Sequence, residues 1–333
     1  MIPIPNQGAF TAANISAIMA NLQSVIGVTG NVYFVDPVGG NNNNNGQFPS
    51  NQGGGQGAVA TLAAGESLLA SGNNDVLVLI SNGAAASSAR LSSGFTWAKN
   101  AAHLVGMCSP ALLSQRARIA PTAAVTAFAN FFTVSGNGCY FRNIQFFQGF
   151  DTGVAAEIAL TVSGGRNVFD GCHIAGMGDT VGGHDAGSRN LKLSGTGENV
   201  FRKCTIGIDT IVRDVANASI EFSGGTPRNY FEDCVFPILA TAATVLGIKV
   251  AAAAGSDRFQ LFKGCTFINA IQSTGVAMTG LATLAASMGG MLVFRDCQLV
   301  GVTSMGTDAT SKGQIYEYGP ANSTSAFLSN NPA

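Results

Sequence analysis

The feature that most constrains this 333-residue chain is a repeated phrase, Phe-x-x-Cys, followed two residues later by Ile, Phe or Leu. Successive cysteines lie 32, 30, 31 and 32 residues apart. A nearly fixed period of this length indicates one supersecondary unit stacked on itself. The five copies contain Phe169 with Cys172, Phe201 with Cys204, Phe231 with Cys234, Phe262 with Cys265, and Phe294 with Cys297. A sixth, degenerate copy begins at Phe141 and has Ile144 in the cysteine position.

A second phrase precedes the first at a constant distance and alternates apolar with polar residues. Such alternation is the period of a half-buried strand, and the Ser-Gly that follows it indicates a turn. Each unit is therefore predicted to be strand, tight turn, strand and a variable stretch. The copies are Phe132-Thr-Val134, Leu160-Thr-Val162, Leu191-Lys-Leu193 and Ile220-Glu-Phe222, each followed by Ser-Gly, and a weaker Ile248-Lys-Val250.

Stacking these units in register gives parallel sheets whose inward residues form ladders along one axis. The sequence thus predicts an all-β fold, a parallel β-helix with coils of about 30 residues. The repeated phenylalanines, including Phe141, and the repeated cysteines are predicted to be a structural core ladder. Leucine-rich repeats need a shorter, Leu-rich unit, and armadillo or HEAT arrays need helical periodicity, which 43 glycines oppose.

The cysteines could in principle be disulfides, metal ligands or buried thiols. Equivalent residues on neighbouring parallel strands lie about 4.8 Å apart, whereas the Cβ atoms of a disulfide lie about 3.8 Å apart. The chain has no Cys-x-x-Cys pair and only three histidines, so metal binding is not favoured. We expect free, buried thiols, folding in a reducing cytoplasm, and no cofactor or metal.

The composition argues against two classes of partner. Only 11% of residues are charged, the net charge is −1, and Lys and Arg are not clustered. Neither nucleic acid nor a membrane is therefore expected as a partner. Met1–Gln7 lacks the features of a secretion signal. Pro237–Gly255 and Ile268–Phe294 are poor in charge, but Ala, Thr, Ser and Gly dilute both segments too much for a membrane span.

The chain is predicted to have three parts. Residues 1–30 form an N-terminal arm with a capping helix over Thr11–Val25, residues 31–303 form the β-helix, and residues 304–333 form an extended tail. Asn41–Gly57, rich in Gly, Asn and Gln, is predicted to be a flexible surface loop.

The segment Val32-Tyr-Phe-Val-Asp-Pro-Val-Gly-Gly40, its Asn/Gly loop and Ala60-Thr-Leu-Ala-Ala64 resemble the opening of pectin-lyase-like β-helix proteins. In that superfamily, a strand ending in Val-Asp-x-x-Gly leads through a loop to Thr-Leu and a capping helix. The resemblance spans roughly residues 31 to 300 and implies a right-handed, single-stranded parallel β-helix. It says little about function, because the superfamily holds lyases, hydrolases, adhesins and phage virion proteins.

Within this superfamily the chain is most similar to phage virion proteins, which include polysaccharide-cleaving tail spikes and capsid cement proteins, usually homotrimers. We expect a non-enzymatic structural protein of the virion, most of all a capsid-decorating or cement protein assembled in the host cytoplasm. The expected partners are copies of itself, the major capsid protein and other virion proteins. The few residues before the first predicted strand leave little room for a spike's particle-binding domain. A polysaccharide-degrading tail spike and a non-enzymatic host-binding fibre remain as alternatives.

The richest loop for catalysis runs over residues 175–189. Glycoside hydrolysis needs two carboxyl groups about 5–10 Å apart, and one or two coil steps supply that distance. Asp179 with Asp209 is therefore the pair to test, although loop acids also form Asx turns and surface ion pairs. One tryptophan in the whole chain is poor support for sugar stacking, and no catalytic residue is assigned. The other polar residues at this phase are His184, Asp185, Arg189, Arg213 and Asp214.

Charged residues also flank the core ladder between Phe and Cys. In neighbouring coils their signs differ, so we expect cross-coil ion pairs on the solvent side, each worth about 0.2–1 kcal/mol. These residues are Arg202, Lys203, Glu232, Asp233, Lys263, Arg295 and Asp296.

Overall fold

The structure is a computed structural model that describes residues 30–81, 85–108, 117–122, 128–149, 156–270 and 275–318. The predicted capping helix over Thr11–Val25 lies outside these residues. The described chain winds into three parallel sheets of ten, seven and eight strands. Each central coil gives one strand to each sheet, which confirms the predicted all-β, right-handed parallel β-helix. No helix within the described ranges is long and apolar enough to cross a membrane.

The strands are numbered in chain order and named here in their spatial order. The ten-stranded sheet contains β1 (Val32–Val35), β2 (Asp75–Ile80), β5 (Ala102–Met107), β8 (Tyr140–Arg142), β11 (Val168–Asp170), β14 (Val200–Arg202), β17 (Thr226–Glu232), β20 (Ser256–Lys263), β23 (Gly289–Arg295) and β25 (Ile315–Tyr318). The seven-stranded sheet contains β22 (Ala282–Leu284), β19 (Leu246–Val250), β16 (Ala218–Phe222), β13 (Arg189–Leu193), β10 (Ile158–Val162), β7 (Asn130–Val134) and β4 (Phe95–Trp97). The eight-stranded sheet contains β24 (Gln298–Val300), β21 (Thr266–Asn269), β18 (Val235–Ile238), β15 (Thr205–Ile206), β12 (His173–Ala175), β9 (Gln145–Phe147), β6 (Arg118–Pro121) and β3 (Ala89–Leu91).

Helices are short and lie between strands. Thr61 caps the first of them by accepting a hydrogen bond from the Ala64 N–H through its side chain. The described helices are α1 (Leu62–Leu68), α2 (Thr180–Gly183) and α3 (Ala309–Lys312), with 3₁₀ turns at Ala85–Ser87 and Ala253–Gly255.

The Phe-x-x-Cys phrase covers two strands, whereas the sequence predicted a single second strand for each unit. Its phenylalanine lies in the ten-stranded sheet, and the residue just before the cysteine bends the chain into the eight-stranded sheet. That bend residue has a φ between 51° and 61° in all six coils, a conformation that favours Gly, Asn and Asp. Lys203 is the one departure from these three residue types. The bend residues are Asn143, Gly171, Lys203, Asp233, Gly264 and Asp296.

The phenylalanines of the repeat form one continuous stack inside the solenoid. All six rings are fully buried, and successive centroids lie 4.6 to 4.9 Å apart with interplanar angles of 4° to 10°. In-register pairing of the strands places each ring over the next, as in Phe169 with Phe201. Offset aromatic stacking adds about 0.5–1.5 kcal/mol per pair to the burial of apolar area. Ring stacking in the core therefore joins each of these coils to its neighbours.

The cysteines of the repeat form a second internal row beside this stack. All seven cysteines of the chain are free thiols, and those of the repeat are buried except Cys297, which is partly exposed. Each repeat thiol lies against a phenylalanine carbonyl oxygen of the preceding coil, as Cys204 Sγ does with Phe169 O at 3.4 Å. Burial raises the pKa of the Cys172 and Cys234 thiols. These sulfurs are therefore neutral, protonated hydrophobic groups at physiological pH.

A row of buried amides was missed in the sequence and lies two residues before four of the six phenylalanines of the repeat. Each side-chain oxygen accepts the backbone N–H of the equivalent residue one coil earlier, at distances of 2.8 to 3.2 Å. Such buried backbone donors need a partner, which the amides supply. The signal was present as Asn or Gln two residues before Phe169, Phe201, Phe231 and Phe262. The row consists of Asn167, Asn199, Asn229 and Gln260, all fully buried.

The loop predicted to be flexible, Asn41–Gly57, is instead held by a set of defined hydrogen bonds. Gly46 N–H donates to Gly57 O at 2.9 Å, and Phe34 N–H in β1 donates to Gly46 O at 2.7 Å. Asn42 Oδ1 accepts the Thr61 N–H at 3.0 Å and so fixes the start of α1.

The β-structure also extends past residue 303, where the predicted tail begins. Residues 315–318 form β25, which pairs in parallel with β23 and buries Ile315 against the core. Residues 304–318 therefore belong to the last coil. The repeated phrases end before residue 303. The backbone N–H and C=O groups at the edge of β23 nevertheless pair with one more strand, β25.

Candidate functional site

The acids of the 175–189 loop hold the loop together. Asp179 is the N-cap of α2, and its Oδ1 accepts the Gly182 N–H at 2.9 Å. Asp185 Oδ1 accepts two backbone N–H groups, from Gly187 at 2.6 Å and from Ala156 at 2.9 Å. These are the turn-forming roles that the sequence offered as the alternative to catalysis for these acids.

On the next coil, three residues singled out in the sequence have three different environments. Asp209 is exposed in the turn after β15. Asp214 Oδ2 lies 2.6 Å from His184 Nδ1, and both side chains are about half exposed. Arg213 is buried and donates to Asn217 Oδ1 at 2.7 Å and to Leu246 O at 2.8 Å. Asp214 and His184 join the two loops at the surface, while Arg213 ties its loop to the sheet below.

The desolvated Arg213 guanidinium is held by neutral acceptors. Burial, with the nearby Arg189 charge, lowers the pKa of Arg213 to about 9. Its partners are carbonyl, amide and hydroxyl oxygens, including Ser219 Oγ at 3.1 Å. Hydrogen bonds from a charged group contribute about 1.5–3 kcal/mol each, which offsets part of the desolvation cost. Arg213 therefore holds its loop against the seven-stranded sheet.

The expected cross-coil ion pairs occur on the outer face of the ten-stranded sheet. Arg202 Nη2 lies 3.3 Å from Asp170 Oδ2, and Lys263 Nζ lies 2.7 Å from Glu232 Oε1. The Lys263 ammonium holds the pKa of Glu232 below its ordinary value. Tyr140 adds a hydroxyl hydrogen bond to Asp170 at 2.7 Å. Partly exposed pairs of this kind contribute about 0–1 kcal/mol and need no ligand to explain them.

The seven-stranded sheet carries a polar row on its outer face that sequence reasoning missed as a site. One outward residue per strand lies in register with the next, and three consecutive members of the seven are charged. Their neighbours on each strand are buried core residues, so the row points away from the core. The row reads Thr96, Thr133, Thr161, Lys192, Glu221, Lys249 and Thr283.

Glu221 lies at the centre of the charged part of this row. Its Oε2 accepts a hydrogen bond from Arg189 Nε at 2.7 Å, and its Oε1 lies 3.6 Å from Lys192 Nζ. Arg189 is only 3% exposed and also donates to the carbonyls of Ala186 and Ser188. Burial lowers the pKa of the Lys249 ammonium, and the Arg189 charge lowers it further. Cations therefore crowd around one carboxylate, and we call Arg189, Lys192, Glu221 and Lys249 the charged cluster.

The sequence did contain a signal for the charged cluster. Lys192, Glu221 and Lys249 are the middle residues of the second repeated phrase, where an ordinary alternating strand also has polar residues. Aligning those middle positions across coils, with the register assumed, places them side by side. Arg213 could not be placed in this way, because it lies between strands in a stretch whose length differs from coil to coil.

His173 is a buried histidine of β12 with a structural role. Its Nε2 lies 3.0 Å from Gly207 O, and its Nδ1 lies 3.2 Å from Gln145 Nε2. Burial lowers the pKa of His173 to about 4, so the ring is neutral at physiological pH. In that state one nitrogen donates to the carbonyl while the other accepts from the amide. Across the described ranges, no three His, Cys, Asp or Glu side chains form a group that could hold a metal ion.

A shallow cavity of about 490 Å³ lies near the last coil, between the strands and α3. Three of its polar groups are already engaged. Asp308 caps α3 through Ser311 N–H, Ser304 Oγ donates to backbone carbonyls, and Thr307 Oγ1 donates to Asp308 Oδ2. The cavity therefore offers mainly threonine hydroxyls and Lys312. Its lining residues are Thr279, Thr303, Ser304, Thr307, Asp308, Ala309 and Lys312.

The fold defines the class of the protein as a parallel β-helix. Pectin methylesterase PemA from Erwinia chrysanthemi is similar, with a TM-score of 0.56, 15% identity, and coverage of 90% of this chain and 92% of that chain. A pectin methylesterase variant in complex with a hexasaccharide has a TM-score of 0.52 at 15% identity, covering 80% of this chain and 87% of that one.

A viral protein, ORF18 of Geobacillus virus E2, is also similar, with a TM-score of 0.42, 12% identity, and coverage of 95% of this chain and 65% of that chain. No protein-family model and no curated protein matches the chain. At these identities the likeness extends to the fold alone.

Proposed function

We propose that the protein is a non-catalytic structural component of a bacteriophage particle, specifically a capsid-decorating or cement protein that associates with copies of itself. The main support for the structural role is that the acidic residues of the loops bind other groups of the same loops. Asp179 and Asp185 bind backbone N–H groups of their own loop, and Asp214 joins two loops through His184. Carboxylates that accept the backbone N–H groups of their own loop have a structural role in that loop.

The continuous internal ladders support a load-bearing role. Stacked phenylalanines, buried thiols and buried amides each join one coil to the next over the central part of the chain. In a solenoid, stability is close to the sum of such neighbour contacts. A body whose central coils are joined in this way suits a protein that braces a shell.

The outer face of the ten-stranded sheet supports contact with other subunits. Phe259 and Met291 are paired in register there, with exposed fractions of 39% and 40%, and Tyr316 on β25 is 36% exposed. A contiguous exposed apolar group rimmed by charges is typical of protein–protein contact surfaces. Lys263 and Arg295 form the charged rim on one side. The resemblance to phage virion β-helices makes other capsid subunits the proposed partners.

A second candidate is a tail spike or host-binding fibre that binds or cleaves polysaccharide. The fold likeness to pectin methylesterases, one of them in complex with a hexasaccharide, favours this candidate. The charged cluster on the seven-stranded sheet also favours this candidate, because its cationic side chains could pair with the carboxylates of acidic sugars.

Quantitative mass spectrometry of purified phage particles tests the proposal. A cement protein is expected in a copy number comparable to that of the major capsid protein, and in heads separated from tails. A low copy number confined to the tail would favour the spike or fibre. Absence of the protein from purified particles would overturn the phage assignment altogether.

A further inference from the structure

The last coil of the solenoid ends in three strands, one from each sheet, and the described residues treat their outer edges differently. The edge of β22 is covered, because α3 lies against it and Ser311 Oγ accepts the Leu284 N–H at 2.9 Å. β24 and β25 are the terminal strands of the other two sheets, and no strand in the described ranges pairs with their outer edges. An uncovered strand edge offers backbone N–H and C=O groups to an extended chain.

The register of β25 on β23 shows which of its backbone groups lie on the open edge. Leu292 N–H donates to Gln314 O at 3.0 Å, so this inward-facing residue of β23 directs its N–H towards β25. The backbone groups of successive residues alternate between the two neighbours of a strand. Ile315 and Glu317, which are the register partners of Leu292 and Phe294, therefore direct their N–H and C=O groups away from β23.

Glu317 takes the place of a phenylalanine at the end of the aromatic stack. It is the register partner of Phe294, the last ring of that stack, and its side chain is partly exposed. Ile315, two residues earlier on the same inward phase, is fully buried. Arg295 on β23 pairs with Asp296 at 3.3 Å, and among the described residues no Lys, Arg or His forms an ion pair with Glu317. A strand that covered this end with apolar residues alone would bury a carboxylate without a cation, which is costly.

We infer that the open edge of β25 is a strand-addition site for an extended segment of another protein, in which a Lys or Arg stands two residues after an apolar residue. A parallel strand added to β25 places its side chains about 4.8 Å from their register partners. The apolar residue then extends the core over Ile315, and the cation lies over Glu317. The residue between them faces Tyr316, which is 36% exposed on the outer face of the sheet.

The charge of Glu317 argues against the chain's own segments and against a second copy as the occupant. Residues 1–29 and 319–333 contain no Lys, Arg or His. The first strand of the same sheet, β1 (Val32–Val35), is uncharged, so end-to-end stacking of β1 on β25 would leave Glu317 without a cation. The complementary charge must therefore come from a different protein. The inference goes beyond the proposed function, because it gives a partner a place of attachment and a sequence pattern.

Fluorescence anisotropy of the purified protein at low salt, with labelled hexapeptides as probes, tests the inference. The peptide Thr-Val-Thr-Lys-Thr-Val is expected to bind at least about tenfold more tightly than the same peptide with Glu in place of Lys. Glu317→Lys should reverse this preference, and Glu317→Gln, the more conservative change, should abolish it. The matched control is Asp257→Lys, which changes an acid of β20 that is 49% exposed and should leave the preference as it is. Circular dichroism establishes that each variant folds.

A second probe separates strand addition from simple charge attraction. The Lys peptide with alternate backbone nitrogens methylated keeps its side chains but cannot pair as a strand, and it should bind at least about tenfold more weakly. Hydrogen exchange should slow at the amides of Ile315 and Glu317 when the unmethylated Lys peptide binds. Equal binding of the Lys and Glu peptides, or of the methylated and unmethylated peptides, would overturn the inference. Protection of these two amides that rises with protein concentration alone would also overturn it, because a second copy would then cover the edge. These measurements need no phage particle, so they can fail while the virion assignment stands.

Discussion

Replacing Phe231 with Ala is expected to lower the free energy of unfolding by about 3–5 kcal/mol, the cost of truncating a buried aromatic residue. Phe231 is fully buried near the middle of the stack, with ring centroids 4.9 Å from Phe201 and 4.6 Å from Phe262. It also makes an edge contact with Phe222 at 6.2 Å. The variant therefore opens a cavity between two coils and removes two stacking contacts at once.

Urea unfolding followed by the fluorescence of Trp97, the single and fully buried tryptophan, measures this loss together with circular dichroism. The matched control is Phe259→Ala, whose ring lies on the neighbouring strand but is 39% exposed, with an expected cost within about 1 kcal/mol. Phe231→Leu should fall between the two, because it keeps apolar volume and loses the stacking. If Phe231→Ala costs no more than Phe259→Ala, the internal stack does not stabilise the fold.

Lowering the pH from 7 to 4.5 is expected to destabilise the protein through His173. The folded-state pKa of His173 is about 4, because burial disfavours the charged ring, and the unfolded-state value is about 6.5. Between these values the unfolded chain binds a proton that the folded chain does not. Stability is therefore full above pH 6.5 and falls as the pH drops toward 4, by on the order of 3 kcal/mol in total. Burial lowers the pKa of His103 too, so this second histidine adds to the effect in the same direction.

The free energy of unfolding at pH 7.5 and at pH 4.5 measures this dependence. His173→Gln is expected to be less stable than the parent at pH 7.5 but to lose most of the difference between the two pH values. His184→Gln is the matched control, because His184 is 49% exposed and its replacement leaves the contribution of His173 in place. A His173→Gln protein with the parent's full pH dependence would assign the effect to other groups.

Much of the fold could be predicted from the spacing of the repeated phrases alone, because each sequence repeat of a solenoid forms one coil. The in-register pairing of Phe169, Phe201 and Phe231 follows directly from their period. The bend inside the phrase was missed, although the three-residue step from Phe to Cys does not fit the two-residue period of one continuous strand. Only the backbone angles reveal that Lys203 and Asp233 turn the chain there.

The candidate site was harder to predict for a physical reason. Lys192, Glu221 and Lys249 lie about thirty residues apart in the sequence and meet only through the lateral pairing of strands. Arg213 lies between strands in a stretch whose length differs from coil to coil, and a repeat period carries no information about such stretches. Asp179 and Asp209 shared a phase in the sequence, yet one caps a helix and the other faces solvent.

Timed alkylation of the native protein, read out by mass spectrometry of each cysteine peptide, tests most directly whether the repeated cysteines form an internal row of free thiols. Cys172, Cys204 and Cys234 should stay unmodified until the protein unfolds, because they are buried. Cys108 and Cys297, which are partly exposed, should react first. Rapid modification of Cys204 and Cys234 in the native state, or disulfides between repeat cysteines, would contradict the β-helical ladder.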